Sequence, residues 1–597
     1  MTMIEEILIK NIVAALENLY QQNIDKQLIQ IQKTKKEFEG DLTIVVFPLL
    51  KFSRKKPEQT ANEIGEYLEN NLEEIQKFNV VKGFLNLVIS DNFWLNFFLK
   101  NHKKEKYGHS EKPKEENIVI EFSSPNTNKP LHLGHIRNNL VGNSIADILK
   151  ASGKKVKKVN LVNDRGIHIC KSMLAWQLWG ENKTPETTNI KGDKFVGNFY
   201  VKFETENKKE TAILIKNGAD KDKAAQQTPL MEKARKMLVK WESGDVKTRK
   251  LWEEMNDWVY KGFDKTYERL GIIFDKTNYE SDTYLLGKEI VKTGLKEGIF
   301  IKKDDGSVWA DLSEEKLDQK LLLRPDGTSV YITQDIGTAQ LRHDNYNADK
   351  LLYVVGNEQI YHFNVLKKVL IKLGKNWAKN IEHIAYGMVE LPHGKMKSRE
   401  GTVVDADDLM TEMHSTAKKT TEELGKIEGF TDSEAENLFE TIGQGALKYF
   451  ILKVDPKKNM LFNPEESIDF TGNTGPFIQY TYARINSVIR KAEDRNINIS
   501  DNIPANINIH PKEKQLIKNL YTFTETINQA AENYSPAIIA NYVYNLVKEY
   551  NQFYQEVSIL KEENNDLVNF RINLSKFTGS VIKTAMELLG IKVPARM

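Results

Sequence analysis

The stretch Ile118–Asn143, IVIEFSSPNTNKPLHLGHIRNNLVGN, constrains this chain more than any other. It opens with the apolar β-branched run Ile118-Val119-Ile120, which reads as a buried strand. A polar loop with Pro125 and Pro130 follows. His132-Leu133-Gly134-His135 then leads into a predicted helix with apolar residues at Leu140, Val141, Ile145, Ile148 and Leu149, stopped at Gly153. In α/β folds, nucleotides bind where a strand gives way to a loop and a helix, at the carboxyl end of the strand. A glycine between two imidazoles suits that place. Glycine lets a ligand approach the backbone, and imidazoles can donate to phosphate oxygens as charge builds on them. Taken alone, the four residues read more simply as two satisfied histidines at a helix start, so the rest of the chain has to decide.

A chain of 597 residues predicts three or four domains with ample core. Its 40% hydrophobic and 28% charged residues are those of a soluble globular protein. A single cysteine, Cys170, excludes a disulfide framework and a cysteine-cluster zinc site, and fits a reducing compartment. The first residues, MTMIEEILIK, carry acids where a signal peptide would be basic, and no apolar run is long enough to cross a membrane. A cytoplasmic protein is expected. The net charge of +2 neither supports nor excludes a nucleic-acid partner.

Along the chain, residues 1–110 read as a small α+β module. Ile4, Leu8, Ile12, Leu16 and Leu19 recur at helical spacing, Leu42–Pro48 reads as a strand, and Val80–Ile89 reads as two strand pieces around Gly83. The basic cluster Lys51, Arg54, Lys55 and Lys56 is either a solvated face or a backbone-tracking patch. Residues 101–116, rich in lysine and glutamate, read as a linker. Val156–Val162 is a second strand, ending at Asn163-Asp164-Arg165-Gly166. The span from about 180 to 260 is predicted to be a helical insertion whose tryptophans (Trp241, Trp252, Trp258, with Trp176 and Trp179 just before) pack its interior. Val308–Leu312, Val330–Thr333, Leu351–Val355 and Ile384–Leu391 read as further strands, with a helix from about Glu358 to Leu373. The loop His393-Gly394-Lys395-Met396-Lys397-Ser398-Arg399-Glu400-Gly401 follows the last of these. Beyond about 405 the periodicity is helical. The expected division is therefore 1–110, 117–404 and 405–597.

His132-Leu133-Gly134-His135 and Lys395-Met396-Lys397-Ser398-Arg399 together resemble the two signature motifs of class I aminoacyl-tRNA synthetases, written HIGH and KMSKS. The likeness narrows further. Glu121–Asn126, Tyr331 with Asp335, Gly356–Gln359 followed by His362-Phe363, Gly475–Tyr480 with Ala483-Arg484, and the terminal Ala595-Arg596-Met597 look like the arginyl branch of that class. The match spans nearly the whole chain, the N-terminal module included. It implies an α/β fold: a Rossmann-like parallel-sheet catalytic domain with a helical insertion, an N-terminal α+β module and an all-helical C-terminal anticodon-binding domain.

The resemblance also implies chemistry. L-arginine would be activated with ATP, bound with Mg²⁺, and passed to the 3′ end of tRNA(Arg); no structural zinc, no membrane and a monomer are expected. Positions matching Glu121, Asn126, Tyr331, Asp335 and Gln359 would line the arginine pocket, from three strand ends of one sheet. Hydrogen bonds to charged groups contribute ~1.5–3 kcal/mol each. Two or three to the arginine fork are thus enough for the ~10⁴-fold rejection of lysine, about 5.5 kcal/mol. A site discriminating in that way needs no editing. His132, His135 and Lys395 would serve the phosphates, Gly134 would admit the nucleotide, and His362 and Met396 would lie near the adenine. Phe84 and Asn86 match positions used near the tRNA elbow, and Phe477, Gln479, Tyr480 and Arg484 belong to the anticodon-binding region. One departure stands out. The usual second lysine of KMSKS is Ser398, Lys397 is one place early, and Lys129, three residues before His132, is the candidate to supply the charge. Two rivals are a cysteinyl or glutaminyl enzyme, against which the single cysteine and the acidic pocket argue, and a non-catalytic tRNA-binding relative, against which His132, His135 and Lys395 argue.

Overall fold

The computed structural model describes residues 3–390, 404–425, 427–500, 502–504 and 507–597. Lys395, Met396, Lys397 and Ser398 lie outside the described residues. The N-terminal module is an antiparallel sheet of β1 (Gln30–Lys33), β2 (Leu42–Val45), β3 (Ile75–Val81) and β4 (Phe84–Ile89), in the order β1-β2-β4-β3. Helix Pro57–Asn71 covers it, and helix Met3–Tyr20 packs against that helix. The β3–β4 hairpin turns at Lys82-Gly83, both at positive φ (52° and 78°), the geometry that matches strand twist in a two-residue turn. Ile4, Leu8, Ile12 and Leu16 are buried as their spacing predicts, whereas Leu19, one residue from the helix end, is exposed.

The central domain is built on β5 (Asn117–Glu121), β6 (Lys155–Val162), β7 (Lys276–Tyr279), β8 (Ile301–Lys302), β9 (Val308–Ala310), β10 (Lys320–Leu323), β11 (Lys350–Gly356) and β12 (Ile381–Tyr386). Five of these form one all-parallel sheet in the order β12-β11-β5-β6-β7. The chain winds outward from β5 through β6 to β7, then crosses to the other side for β11 and β12. The strand order reverses between β5 and β11, which opens a crevice at their carboxyl ends. β8, β9 and β10 form a separate antiparallel sheet. The insertion between β6 and β7 is helical, with its long helices at Gly192–Lys216, Pro229–Glu242 and Val246–Leu270. Trp241 and Trp258 are buried, and Trp241 meets Trp252 edge to face at 5.4 Å, so these tryptophans pack as expected.

One local expectation needs correction. Val330–Thr333 is not a strand: the helix Tyr331–Tyr346 starts there. Ile332, Ile336 and Ala339 are buried on one face, and this helical spacing overrides the local β-branched preference. Residues 101–116, read as a linker, carry no helix or strand of their own after Asn101 but are anchored by packing. Tyr107 and Gly108 are buried, with Tyr107 edge to face on Phe577 at 5.1 Å and Gly108 against the ring of Phe523. C-terminally, helices Ala406–Glu423, Asp432–Leu452, Gly475–Asp494, Pro511–Tyr521, Phe523–Glu532, Pro536–Glu556 and Asn565–Leu588 form a helical body. Its short strand β14 (Met460–Leu461) pairs in parallel with β13 (Val389–Glu390).

Candidate active site

The loop leaving β5 is held in an uncommon conformation. Ser123 and Ser124 both have positive φ, 76° and 46°. Such backbone persists only where its surroundings over-determine it. Here the Ser123 N–H donates to Asn138 Oδ1 (2.5 Å) and the Ser124 N–H to Asn160 Oδ1 (3.0 Å). The Ser123 hydroxyl meets the Tyr267 hydroxyl at 2.7 Å. Asn138 also donates to the Val354 carbonyl of β11 at 2.7 Å, so one buried side chain ties β5 to β11 across the crevice. Beyond this point Asn126 bridges Asn163, and its side chain is exposed at the crevice.

The two histidines close the start of the helix Leu133–Ala151. His132 Nδ1 accepts from the Gly134 N–H (3.1 Å), and His135 Nδ1 accepts from the His132 N–H (3.2 Å). With both Nδ1 atoms acting as acceptors, this network places each ring proton on Nε2. Burial, and then the charge of Lys129, push His132 down to about 3; burial, then His132 and Lys129, push His135 far below its ordinary value. Both rings are therefore neutral Nε2–H donors near neutral pH, and the positive charge beside them belongs to Lys129. Val404, just past the undescribed segment with Lys395 and Met396, accepts at its carbonyl from the Leu133 N–H (3.2 Å).

The acids gather on the other side of the crevice. Asp335 lies in the first turns of the helix Tyr331–Tyr346, and its Oδ2 is 2.5 Å from Nε2 of His362. Tyr331, at the start of that helix, is 79% exposed and open to a ligand. Gln359 is exposed in the turn after β11. The expected convergence of three strand ends is thus two strand ends and one helix start. Glu121 departs further from expectation. Its carboxylate is buried against the Arg342 guanidinium and accepts from the Ser124 hydroxyl at 2.9 Å. Buried Arg342 matches that charge from within, so Glu121 braces the β5 loop and does not present a free carboxylate.

Glu280, not singled out in the sequence, joins this group. It follows β7, and burial pushes its carboxyl up to about 7, with Arg165 opposing and Asp164 and Asp335 adding to the rise. Arg165 lies 4.0 Å from it, stacked 3.9 Å over the Tyr284 ring. The sequence signal available was an acid directly after the edge strand, in Tyr279-Glu280-Ser281-Asp282. Among the described residues no group of three or more His, Cys, Asp or Glu could hold a metal ion.

The residues expected at tRNA divide. Phe84 is half-buried, edge to face on the exposed Phe47 at 5.4 Å. Tyr480 is partly exposed below the Arg484 guanidinium (5.0 Å), and Phe477 packs on Tyr544 at 5.9 Å. Asn86 and Gln479 are buried and internal. Asn86 donates to Asn79 (2.9 Å) and accepts from Thr43 (2.6 Å). Gln479 donates to the carbonyls of Thr441 (2.9 Å) and Lys592 (2.8 Å). Neither is placed to meet RNA, because both side chains are buried and their amide N–H groups are spent on partners inside the protein.

Three family models match the chain: the Arginyl tRNA synthetase N terminal domain at residues 6–89, the catalytic domain of class I (R) tRNA synthetases at 98–463, and the DALR anticodon binding domain at 478–597. The chain is 59% identical over 595 residues to the arginine–tRNA ligase of Bacteroides thetaiotaomicron, with 100% of both chains covered. It is 54% identical over 606 residues to that of Flavobacterium psychrophilum, again covering 100% of both. The solved structures of arginyl-tRNA synthetases from Thermus thermophilus (TM-score 0.78, 23% identity) and Plasmodium falciparum (TM-score 0.76, 21% identity) share the fold over 100% of both chains. With the sheet of the N-terminal module, the two-histidine helix start and the last four C-terminal helices falling inside the three matched segments in turn, the chain belongs to the arginyl-tRNA synthetase family.

Proposed function

We propose that the chain is an arginine–tRNA ligase. The arginine carboxylate attacks the α-phosphate of ATP in line, the bond to the β-phosphate breaks and pyrophosphate leaves. A terminal ribose hydroxyl of tRNA(Arg) then attacks the arginyl carbonyl and AMP leaves. Such phosphoryl chemistry runs on positioning and charge stabilisation. ATP enters with Mg²⁺ as its substrate complex. The observation that carries the reading is a pair of ring Nε2–H donors, fixed by the bonds of His132 to Gly134 and of His135 to His132 at the helix start after β5, with the charge of Lys129 beside them.

In this reading His132 and His135 donate to the phosphates without carrying charge, and Gly134 leaves room for the nucleotide. Lys129 supplies the cation that Ser398 does not, and Lys395 meets the leaving pyrophosphate. Asp335, Glu280 and Tyr331 receive the guanidinium, and Asn126 and Gln359 the α-amino and carboxylate end. Glu121 supports the pocket through Arg342. Binding arginine at Asp335 displaces His362, freeing its ring toward the adenine. Phe84, Phe477, Tyr480 and Arg484 offer rings and a guanidinium on which splayed tRNA bases stack.

Arginine-dependent pyrophosphate exchange in the presence of tRNA(Arg) tests the activity, and exchange with another amino acid or none overturns it. Lys129→Ala is expected to slow arginine activation roughly 100-fold, as loss of a transition-state charge contact does, while Lys397→Ala leaves it near wild type. The opposite pattern assigns the charge to Lys397.

A further inference from the structure

We propose that Lys191 and Asp407 are positioning residues for His132, joining the helical insertion to the two-histidine turn. The proposal rests on the reading above, in which His132 serves arginine activation. It starts from a short strip of backbone. The Ala406 N–H donates to the Leu131 carbonyl (2.9 Å) and the Leu133 N–H to the Val404 carbonyl (3.2 Å), so His132 and Asp405 lie opposite each other in an antiparallel bridge. The His132 ring is itself tied to the turn through the Gly134 N–H. Any shift of residues 404–406 therefore moves the ring.

The far side of that strip is fixed by the insertion, more than 130 residues away in sequence. Lys191 caps the start of the helix Gly192–Lys216, and Asp407 lies in the first turn of the helix Ala406–Glu423. The Lys191 ammonium donates to Asp407 Oδ2 (2.5 Å), Asp193 Oδ2 (3.0 Å) and Thr266 Oγ1 (2.5 Å). Thr266 donates in turn to Asp407 (3.1 Å). Arg269 donates to the Asp407 carbonyl (3.2 Å) and to Thr411 (3.0 Å), and holds Glu440 with two further N–H groups (2.9 and 3.1 Å). Asp405 closes the strip by accepting from the Asp407 N–H at 2.8 Å. Asp193 is wholly buried, and Lys191 is the one cation paired with it among the described residues. A clasp with this many charge-assisted bonds holds one geometry. Sites of this kind need the reacting groups within about 0.5 Å of the productive position.

The test uses the full-length enzyme with arginine, ATP and tRNA(Arg). Asp407→Asn keeps the shape of the clasp and removes its charge; Lys191→Met removes the cation; Lys191→Arg restores it. Lys194→Ala breaks the exposed neighbouring pair to Asp408 and serves as control. Active-site titration counts competent molecules, so the exchange rate per titrated site separates a displaced His132 from a partly unfolded sample. Asp407→Asn and Lys191→Met are expected to lose roughly 10- to 100-fold in that rate, with the arginine KM within about twofold, as a misplaced reacting group does. Lys191→Arg is expected to recover most of it, and Lys194→Ala to match wild type. Unchanged rates per site in both clasp variants overturn the proposal, as does a loss confined to the number of titrated sites. A wild-type enzyme without arginine-dependent exchange overturns the functional reading, and this proposal with it.

Discussion

In the proposed pocket, the protonation of Glu280 governs arginine binding. Burial raises its carboxyl to about 7, so near neutrality a sizeable fraction carries a proton. The arginine guanidinium is permanently charged and favours the ionised form, so binding releases that proton. The arginine KM is therefore expected to rise as pH falls below about 7 and to level off above it. Glu280→Gln should flatten that dependence and raise the KM roughly 10- to 100-fold, the worth of one hydrogen bond to a charged group. A pH profile of KM on both proteins checks it, and an unchanged profile in the variant removes Glu280 from the pocket. Gln479 gives the opposite kind of prediction. Because it satisfies the carbonyls of Thr441 and Lys592, Gln479→Leu is expected to cost about 1–3 kcal/mol of stability, read as a lower urea midpoint. The KM for tRNA(Arg) should stay at the wild-type value.

At the scale of elements, the helix Leu133–Ala151 carries the two histidines and lies on the β5 loop without a gap. A Cβ on Gly142 would come 2.4 Å from the Phe122 ring, and Phe122 immediately precedes the strained serines. Gly142→Ala gains up to about 1 kcal/mol of helix propensity. Against this, overpacking a rigid core costs about 1–3 kcal/mol. The clash should win: a lower melting temperature is expected, with slower arginine activation because the loop and the histidine turn are pushed apart. A variant as stable and active as wild type would mean that Phe122 has room to rotate. Much of this element was legible in the sequence. The strand, the helix and its stop at Gly153 follow from periodicity and from a terminal glycine at φ 93°. What periodicity does not reveal is pairing over distance. Arg342 lies more than 200 residues from Glu121, and nothing local to either says that one neutralises the other. The same holds for Asn86 and Gln479: a polar side chain next to apolar neighbours reads alike whether it faces RNA or a buried carbonyl. Tyr331 misled for another reason, since a run of four residues, three β-branched and one aromatic, fits a strand until the helical spacing beyond it is counted.

Across the whole molecule, the N-terminal module is not tethered by its connector alone. Tyr521, at the end of a C-terminal helix, stands edge to face against Phe93 (5.8 Å), Trp94 (5.4 Å) and Phe97 (5.0 Å) of the helix Asp91–Asn101. Its hydroxyl accepts from the Ile4 N–H at 2.8 Å. Lys514 pairs with Asp91 (2.6 Å), and Lys518 pairs with Asp41. The aromatic contacts carry most of this junction, because each such pair adds about 0.5–1.5 kcal/mol beyond its buried area. The lysine pairs are partly exposed and contribute at most about 1 kcal/mol each. Tyr521→Ala is therefore expected to cost about 3 kcal/mol, whereas Lys514→Ala changes little. If the module works as a tRNA contact, loosening it should show in one substrate only. The KM for tRNA(Arg) should rise several-fold while arginine and ATP keep their wild-type values, because the sheet crevice lies in the central domain and takes no side chain from this junction. Steady-state aminoacylation with each substrate varied in turn separates the two. Equal losses for all three substrates would mean that the junction supports the catalytic domain itself.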